Sequence, residues 1–173
     1  MKIQESKIQE HDADSFKVTK ENNISILRFN DEKYLSNIED YATILLGDCS
    51  DCSKMKELYK DFTYDKVLVL GLGLGLIPET LKVEKSCSVV DVIDNNQELI
   101  DYVNFIDNSI NIIKHDAFTY TPDKKYDFIL VDLWWGNEDI TDEMLSNLEN
   151  NYKNYLEDNG KMLIPILYKS FEK

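Results

Sequence analysis

"VLVLGLGLGL", residues Val67–Leu76, places a short run of branched apolar residues directly before glycines at alternating positions. A continuous Val and Leu run is typical of a strand that is buried on both faces. Gly71, Gly73 and Gly75 then allow a tight turn and leave room for a ligand near the backbone, and Pro78 suits the first turn of a helix. The stretch therefore predicts a strand, a turn suited to a nucleotide, and a helix.

The same alternation of strand and helix continues beyond Asp65. Five apolar strands are predicted, over Lys66–Gly71, Cys87–Ile93, Ile110–Lys114, Tyr126–Leu133 and Lys161–Leu167. Helices are predicted between them, over Ile77–Val83, Gln97–Phe105 and about 141–156, with Asn159-Gly160 as a cap that ends the last helix. Such alternation predicts an α/β fold with a doubly wound, mostly parallel sheet.

The N-terminal part of the chain has a different pattern. Residues 1–13 are polar and predict a loosely ordered terminus. "SFKV" (Ser15–Val18) and "ISILRF" (Ile24–Phe29) flank a turn-forming segment and predict a β-hairpin. Two helices are expected over Asn37–Gly47 and Ser50–Phe62. We therefore expect one compact domain, in which residues 1–64 pack on a core formed by residues 65–173.

Composition limits the classes of partner. The 173 residues hold 19 Lys and Arg against 33 Asp and Glu, a net charge of −14. This charge repels nucleic acid and attracts cationic ligands such as amines, although solubility alone would also explain it. No apolar run approaches the roughly 20 residues of a membrane helix, and no signal peptide is visible. The sequence predicts a cytoplasmic protein without a membrane span.

Other chemistries find little support in the motifs. Cys49 and Cys52 form a C-x-x-C, but the other candidate zinc ligands, Cys87, His11 and His115, are scattered, so we expect no metal site. The pair is better explained as an incidental feature of a helix start. No P-loop motif and no G-x-S-x-G nucleophile elbow occurs.

Acidic residues follow the later strands at the point where each strand ends. Asp94 follows the second predicted strand, Asp116 the third and Asp132 the fourth, whereas Asp91 lies inside a strand and is a weaker candidate. Each of the three could merely cap a helix or a loop. Because carboxyl ends of parallel strands share one edge of a sheet, these acids and the glycine turn together predict a ligand-binding site there.

These motifs resemble a known family. "VLVLGLGLGL", "VIDNNQELI", "HDAF" and "KKYDFILVDLWWG" are similar to the successive motifs of the Rossmann-like class I S-adenosylmethionine-dependent methyltransferases. Val69 and the "YDFILVDLWWG" pattern resemble the spermidine-synthase-like branch in particular, and the resemblance covers about residues 15–167. It implies a transferase that uses S-adenosylmethionine or its decarboxylated form and moves a methyl or aminopropyl group to a small amine-type acceptor.

The resemblance also implies roles for individual residues. The glycines of the turn would border the methionine and ribose parts of the nucleoside. The other contacts would be made by residues at the following strand ends: Asp94 and Asn95 at the ribose, Asp116, Ala117 and Phe118 at the adenine. Asp132 would lie near the sulfonium and bind or deprotonate the attacking amine. Trp134 and Trp135 would either form the wall of an amine pocket or pack beneath their loop.

The chain departs from the branch at several positions. Leu74 stands where aminopropyltransferases typically carry an aspartate, and Leu133 to Gly136 replace their acidic loop. The chain also ends at Lys173, shortly after the fifth predicted strand, so we expect a homo-oligomer that covers the exposed part of the sheet. A non-catalytic nucleoside-binding or partner subunit is the alternative to an enzyme.

Overall fold

The computed structural model describes residues 8–21, 24–29, 62–133 and 141–164. The two helices expected between Asn37 and Phe62 lie outside these residues, apart from Phe62 itself. So do the C-x-x-C pair and both tryptophans.

Helices and strands alternate in the second part of the chain. The strands are β1 (His11–Asp12), β2 (Phe16–Glu21), β3 (Ile24–Phe29), β4 (Lys66–Leu70), β5 (Val89–Asp94), β6 (Asn111–Lys114), β7 (Tyr126–Val131) and β8 (Leu156–Leu163). The helices are α1 (Leu76–Glu79), which a π-helical turn continues over Thr80–Glu84, α2 (Gln97–Tyr102) and α3 (Asp142–Tyr152), which a 3-10 turn follows over Lys153–Tyr155.

Strands β4 to β8 form one sheet in the order β6-β5-β4-β7-β8, and all its pairings are parallel. The chain winds outward from β4 to β6, then returns to the other side of β4 to form β7. The strand order therefore reverses between β4 and β7, which is where open α/β sheets bind their ligands. The described residues have the doubly wound fold that the sequence predicts.

Both faces of the sheet are buried, which explains the unbroken apolar runs in the strands. Val67 and Val69 face a core that includes residues of α2 and of the N-terminal strands. Leu68 and Leu70 face the opposite way, toward a second core that includes residues of α3. Successive side chains of a strand point to opposite faces, so each core takes every second residue of β4.

The predicted hairpin is confirmed. β2 and β3 pair antiparallel from Phe16 opposite Phe29 to Glu21 opposite Ile24. Phe16 and Val18 are buried in the same core as Val67. The N-terminal strands thus pack on one face of the parallel sheet.

The segment before the hairpin is more ordered than its polar composition predicts. Ile8 is 1% exposed and His11–Asp12 pairs with β2. The Tyr102 hydroxyl donates to the Gln9 carbonyl oxygen at 2.7 Å. The prediction of a loosely ordered terminus is therefore wrong for residues 8–13, because one buried isoleucine and long-range contacts hold this segment in place.

The end of α3 and the start of β8 also differ from the prediction. Asn159-Gly160 does not cap the helix, which ends at Tyr152; the pair lies inside β8, which begins at Leu156 rather than Lys161. Asn159 has a φ of 68°, and the pairing of β7 with β8 shifts register here. A β-bulge uses the same backbone conformation as a helix cap, so the dipeptide alone does not distinguish them.

Asp91, the weaker site candidate, forms a buried polar network inside the sheet. It is 2% exposed, and its carboxylate accepts hydrogen bonds from the Tyr126 hydroxyl (2.6 Å) and Asn111 Nδ2 (3.1 Å). Lys124 Nζ lies 2.8 Å from the same carboxylate. Burial opposes ionisation, but these hydrogen bonds and the Lys124 charge outweigh it and lower the pKa of Asp91. Asp91 is therefore a structural acid.

Removing this carboxylate is expected to destabilise the fold. Asp91→Ala leaves the buried Tyr126 hydroxyl without its acceptor and should lower the free energy of unfolding by about 2–4 kcal/mol in urea titrations at pH 7. Because the folded pKa of Asp91 is lowered, its contribution is present above the unfolded pKa of about 3.9 and is lost as the pH falls through the folded value. The gap between wild type and variant should therefore narrow as the pH falls below about 4.

The exposed ion pair between Lys17 and Asp12, at 2.7 Å, offers the control. Asp12→Ala should change stability little, because solvent screens an exposed pair. Equal stability of Asp91→Ala and wild type would contradict the role of the network.

Candidate functional site

Four strand ends meet side by side at the carboxyl edge of the parallel sheet. In the order of the sheet they carry Asp116, Asp94, Gly71 and Asp132. Backbone hydrogen bonds join neighbouring ends: His115 N–H donates to the Asp94 carbonyl oxygen (3.0 Å), and the Asp132 N–H donates to that of Leu70 (2.7 Å). The predicted groups therefore occur along one continuous edge that includes the β4/β7 switch point.

The glycine turn follows β4 with left-handed backbone conformations. Gly71, Gly73 and Gly75 have φ values of 103°, 51° and 75°. A Cβ at Gly71 would overlap the carbonyl oxygen of Asp132 and lie 2.9 Å from its carbonyl carbon. Glycine at position 71 thus lets the turn pass closely along the residue that ends β7.

Three other residues of the turn, Leu72, Leu74 and Gly75, contribute to packing in the first core. A Cβ at Gly75 would lie 2.5 Å from Val103 Cγ1 and 2.8 Å from Ile106 Cγ2, so glycine there allows close packing against the region that follows α2. Leu72 and Leu74 are 3% and 1% exposed and belong to the first core. The alternation of glycine and leucine therefore has two causes. The leucine side chains are buried in the core, and the glycines adopt the left-handed backbone conformations of the turn.

Asp94 holds the glycine turn and the start of α2 together. Its Oδ2 accepts from the Leu72 N–H and its Oδ1 from the Asn96 N–H, each at 2.9 Å. Burial nevertheless raises the pKa of Asp94, against the opposing effect of the backbone N–H groups of Asn96, Leu72 and Asn95. A carboxylate has about four lone-pair sites, so these three N–H donors leave capacity for one further donor.

Asn96 is the N-cap of α2. Its Oδ1 accepts from the Leu99 N–H at 3.1 Å, and its Nδ2 donates to Ser15 Oγ at 3.1 Å. Ser15 also donates through its backbone N–H to Glu98 Oε2 at 2.9 Å. The hairpin therefore contacts α2 one residue away from Asn95, which is exposed.

Asp116 begins a tight loop after β6. Its Oδ1 accepts from the Phe118 N–H at 2.9 Å, and its carbonyl oxygen accepts from the N–H groups of Thr119 (3.1 Å) and Tyr120 (2.9 Å). The Asp116 side chain is exposed, so its second carboxylate oxygen can meet a donor from solvent or from a ligand.

The carbonyl groups of this loop are held by α3, which no sequence pattern indicated. The Tyr152 hydroxyl donates to the Ala117 carbonyl oxygen at 2.6 Å, and Asn151 Nδ2 donates to that of Phe118 at 2.8 Å. Ala117 is buried in the second core, and Phe118 packs against it. In the sequence, only the presence of an aromatic residue on the apolar face of the helix pointed to a role for Tyr152, and it did not identify the carbonyl group that Tyr152 contacts.

Asp132 stands at the end of β7, half-buried and directly against Gly71. Leu133, the next residue, packs against the second core. The predicted substrate residues Trp134 and Trp135 follow outside the described residues, so their roles stay predictions.

The remaining cysteine and metal predictions concern residues away from this edge. Cys87 is buried and its thiol donates to the Tyr64 carbonyl oxygen at 3.3 Å; burial raises its pKa to about 11, so the thiol stays protonated at neutral pH. Among the described residues, no three His, Cys, Asp or Glu side chains are arranged to hold a metal ion.

No known family model matches the sequence, and no curated protein does either. Solved structures are similar in fold. The plantazolicin methyltransferase BpumL with S-adenosylhomocysteine is 23% identical over 78% of this chain and 53% of its own, with a TM-score of 0.57. An S-adenosylmethionine-dependent methyltransferase from Clostridium acetobutylicum is 19% identical over 73% and 54%, with a TM-score of 0.53. The chain spans about half the length of both proteins.

A third structure, the N-methyltransferase NodS from Bradyrhizobium japonicum, is 17% identical over 77% of this chain and 69% of its own, with a TM-score of 0.55. All three neighbours are methyltransferases: BpumL and NodS are in complex with S-adenosylhomocysteine, and the Clostridium acetobutylicum protein is S-adenosylmethionine-dependent. Identities at this level establish the fold alone. The chain has the Rossmann-like fold of the class I S-adenosylmethionine-dependent methyltransferases.

Proposed function

We propose that the carboxyl edge of the sheet binds S-adenosylmethionine and that the protein transfers its methyl group to a small amine. The observation that supports this most is the placement of an acid or glycine at four adjacent strand ends, around the switch point of the sheet. The class of the neighbouring structures supports the same cofactor and the same reaction.

Asp94 fits the ribose part of this co-substrate. Its carboxylate is oriented by backbone N–H groups and keeps acceptor capacity for a ribose hydroxyl. Because burial raises its pKa, ionised Asp94 costs folding free energy above the folded pKa, and this cost disappears below the unfolded value. A buried acid that costs stability at neutral pH suits a binding role, and Asn95 lies beside it.

Asp116 fits the adenine. Its exposed carboxylate can accept from the exocyclic amino group, and Phe118 provides an apolar surface beside the base, with Ala117 beneath it. Gly71 and Gly73 border the remainder of the nucleoside in this proposal. Gly75 contributes through the shape of the turn, since the space next to its Cα is filled by side chains.

Asp132 is the proposed catalytic residue. S-adenosylmethionine supplies an electrophilic methyl group on a positively charged sulfur; transfer to an amine leaves a neutral thioether and releases one proton. The carboxylate of Asp132 attracts the cationic amine and accepts that proton, which frees the nitrogen lone pair for attack. The same negative charge stabilises the positively charged sulfonium of bound S-adenosylmethionine before transfer.

An amine acceptor is supported by charge and by comparison. The net charge of −14 attracts cations, and the neighbouring structure NodS is an N-methyltransferase. Trp134 and Trp135 are proposed to border the amine through their aromatic faces.

Methyl transfer is favoured over aminopropyl transfer by the environment of Leu74. The resemblance to the spermidine-synthase-like branch raised both reactions, and an aspartate at this position would mark the aminopropyl reaction. Leu74 is 1% exposed in the first core, so the turn presents no side chain there to the amino group of a decarboxylated co-substrate.

Within the described residues no helix is both long and apolar enough to cross a bilayer. The cytoplasmic location and the homo-oligomer stay predictions of the sequence, as does the division at residue 64.

Calorimetry on the 173-residue chain tests the proposal. Saturable binding is expected for S-adenosylmethionine and S-adenosylhomocysteine, and weaker binding for decarboxylated S-adenosylmethionine. Absence of binding to all three would overturn the proposal, and a preference for the decarboxylated form would favour aminopropyl transfer. Binding without methylation of any amine in a broad panel would favour the non-catalytic alternative.

Asp94→Asn is expected to weaken binding of S-adenosylhomocysteine by about 10- to 100-fold, because hydrogen bonds to a charged acceptor contribute about 1.5–3 kcal/mol. Asp127→Asn is the matched control. The Asp127 carboxylate likewise accepts two backbone N–H groups, from Asp65 (3.1 Å) and Lys66 (2.9 Å), but at the opposite end of the sheet. If both variants bind equally well, Asp94 is not the ribose ligand.

A further inference from the structure

The loop after β6 is held from two sides. On its own side, Asp116 accepts from the Phe118 N–H through its carboxylate and from the Tyr120 N–H through its carbonyl oxygen. On the other side, the consecutive carbonyl groups of Ala117 and Phe118 accept from Tyr152 and Asn151. These donors lie 33–35 residues away in sequence, so only the packing of α3 brings them to the loop.

The two donors differ in environment but act on the same loop. Tyr152 is 0% exposed and belongs to the second core, whereas Asn151 is exposed. A buried tyrosine usually packs in the core and finds one hydrogen-bond partner, and this would explain Tyr152 alone. It does not explain why the preceding residue of the helix, Asn151, reaches the next carbonyl along the loop. Because two consecutive carbonyl groups are held, the two contacts together fix both the position and the orientation of the loop backbone.

We infer that Asn151 and Tyr152 are positioning residues for recognition of the adenine ring. By holding the carbonyl groups of Ala117 and Phe118, they keep the turn that aims the Asp116 carboxylate and place Phe118 beside it. They do not touch the ligand themselves. This inference rests on the proposed function, since it assigns the selectivity of the same site.

Selectivity for adenine is the property that this role would control. A carboxylate in a fixed direction accepts a hydrogen bond from the amino group of adenine but repels the oxygen that replaces it in hypoxanthine. If the loop is free to turn away, the carboxylate returns to solvent and both bases bind alike. Weakening of the supports should therefore reduce affinity for the adenine ligand more than affinity for its hypoxanthine analogue.

The test compares Kd values for S-adenosylhomocysteine and S-inosylhomocysteine, whose bases carry an amino group and an oxo group, respectively, at this position, with the neighbouring N1 protonated in the inosine ligand. Wild type should prefer the adenine ligand by about tenfold or more. The variants Asn151→Ala and Tyr152→Phe, singly and combined, should reduce this preference, with the double variant approaching equal affinity. The affinity for the inosine ligand should change by less than about threefold.

Matched controls lie close by. Asn150→Ala alters the neighbouring residue, whose side chain accepts from Lys153 Nζ (2.6 Å) in the turn that follows α3. Tyr126→Phe removes another buried hydroxyl on the same sheet face, the one that donates to Asp91. Both controls should keep the wild-type preference.

The outcomes separate the two proposals. If the wild-type protein binds neither ligand, both the proposed function and this inference are wrong. Wild type that prefers adenine, with the same preference in the double variant, overturns the positioning role alone. Loss of affinity for both ligands in equal measure would show that the two residues only support the fold, and would also overturn it.

Discussion

Gly71→Ala is expected to destabilise the protein by about 3–6 kcal/mol, a large share of the stability of an ordinary domain. The added Cβ would overlap the Asp132 carbonyl oxygen, which is backbone and cannot move aside without disrupting β7. A φ of 103° adds strain for any residue with a side chain. Urea or thermal unfolding monitored by circular dichroism would measure the loss.

Gly75→Ala provides the comparison. Its Cβ would meet side-chain atoms of Val103 and Ile106, which can shift by small rotations, so the loss should be smaller although its φ of 75° is also unfavourable. A Gly71→Ala protein with wild-type unfolding behaviour would show that β4 and β7 do not approach each other as described.

Asp132→Asn is expected to lower the rate of methyl transfer by about 10²- to 10⁴-fold, which is the usual contribution of a positioned general base. The substitution preserves size and removes only the charge and the proton acceptor. Incorporation of labelled methyl groups into a panel of small amines would measure the rate, with S-adenosylmethionine as donor.

Binding separates the electrostatic part of this role from the catalytic part. The affinity for neutral S-adenosylhomocysteine should stay within about threefold of wild type. The affinity for the cationic S-adenosylmethionine should fall by up to about tenfold, since a nearby unit charge contributes on the order of 1 kcal/mol when partly solvated. Asp127→Asn, on the same strand but at its other end, should change neither quantity. A wild-type methylation rate in Asp132→Asn would contradict the assignment.

The succession of strands along the chain and the placement of acids were predictable because both depend on short-range patterns. The predicted strand over Lys66–Gly71 corresponds to β4, which covers Lys66–Leu70. Asp94, Asp116 and Asp132 follow apolar runs, and parallel strands necessarily present their ends at one edge. The glycines could not be assigned individually, since Gly71 approaches backbone and Gly75 approaches side chains from a distant part of the chain.

Predictions failed where one local pattern fits two structures. Asn159-Gly160 supplies a positive φ that suits a helix cap and a bulge equally well, and the pairing of β8 with β7 determined which of them formed. A polar terminus predicts disorder, but burial of Ile8 and the hydrogen bond from Tyr102 to Gln9 outweigh composition there.

The sequence by itself determined the doubly wound sheet and the edge on which its acids and glycines meet, because strand periodicity and the direction of parallel strands are local consequences of residue type. Only the tertiary structure decided that Asp91, inside its strand, has a structural role, and which residues support the loop that follows Asp116. Asp91 became a buried partner of Tyr126 and Lys124, and the loop after Asp116 came to rest against Asn151 and Tyr152. Contacts between residues more than 30 positions apart depend on how helices pack across the sheet, and residue spacing along the chain does not encode that packing.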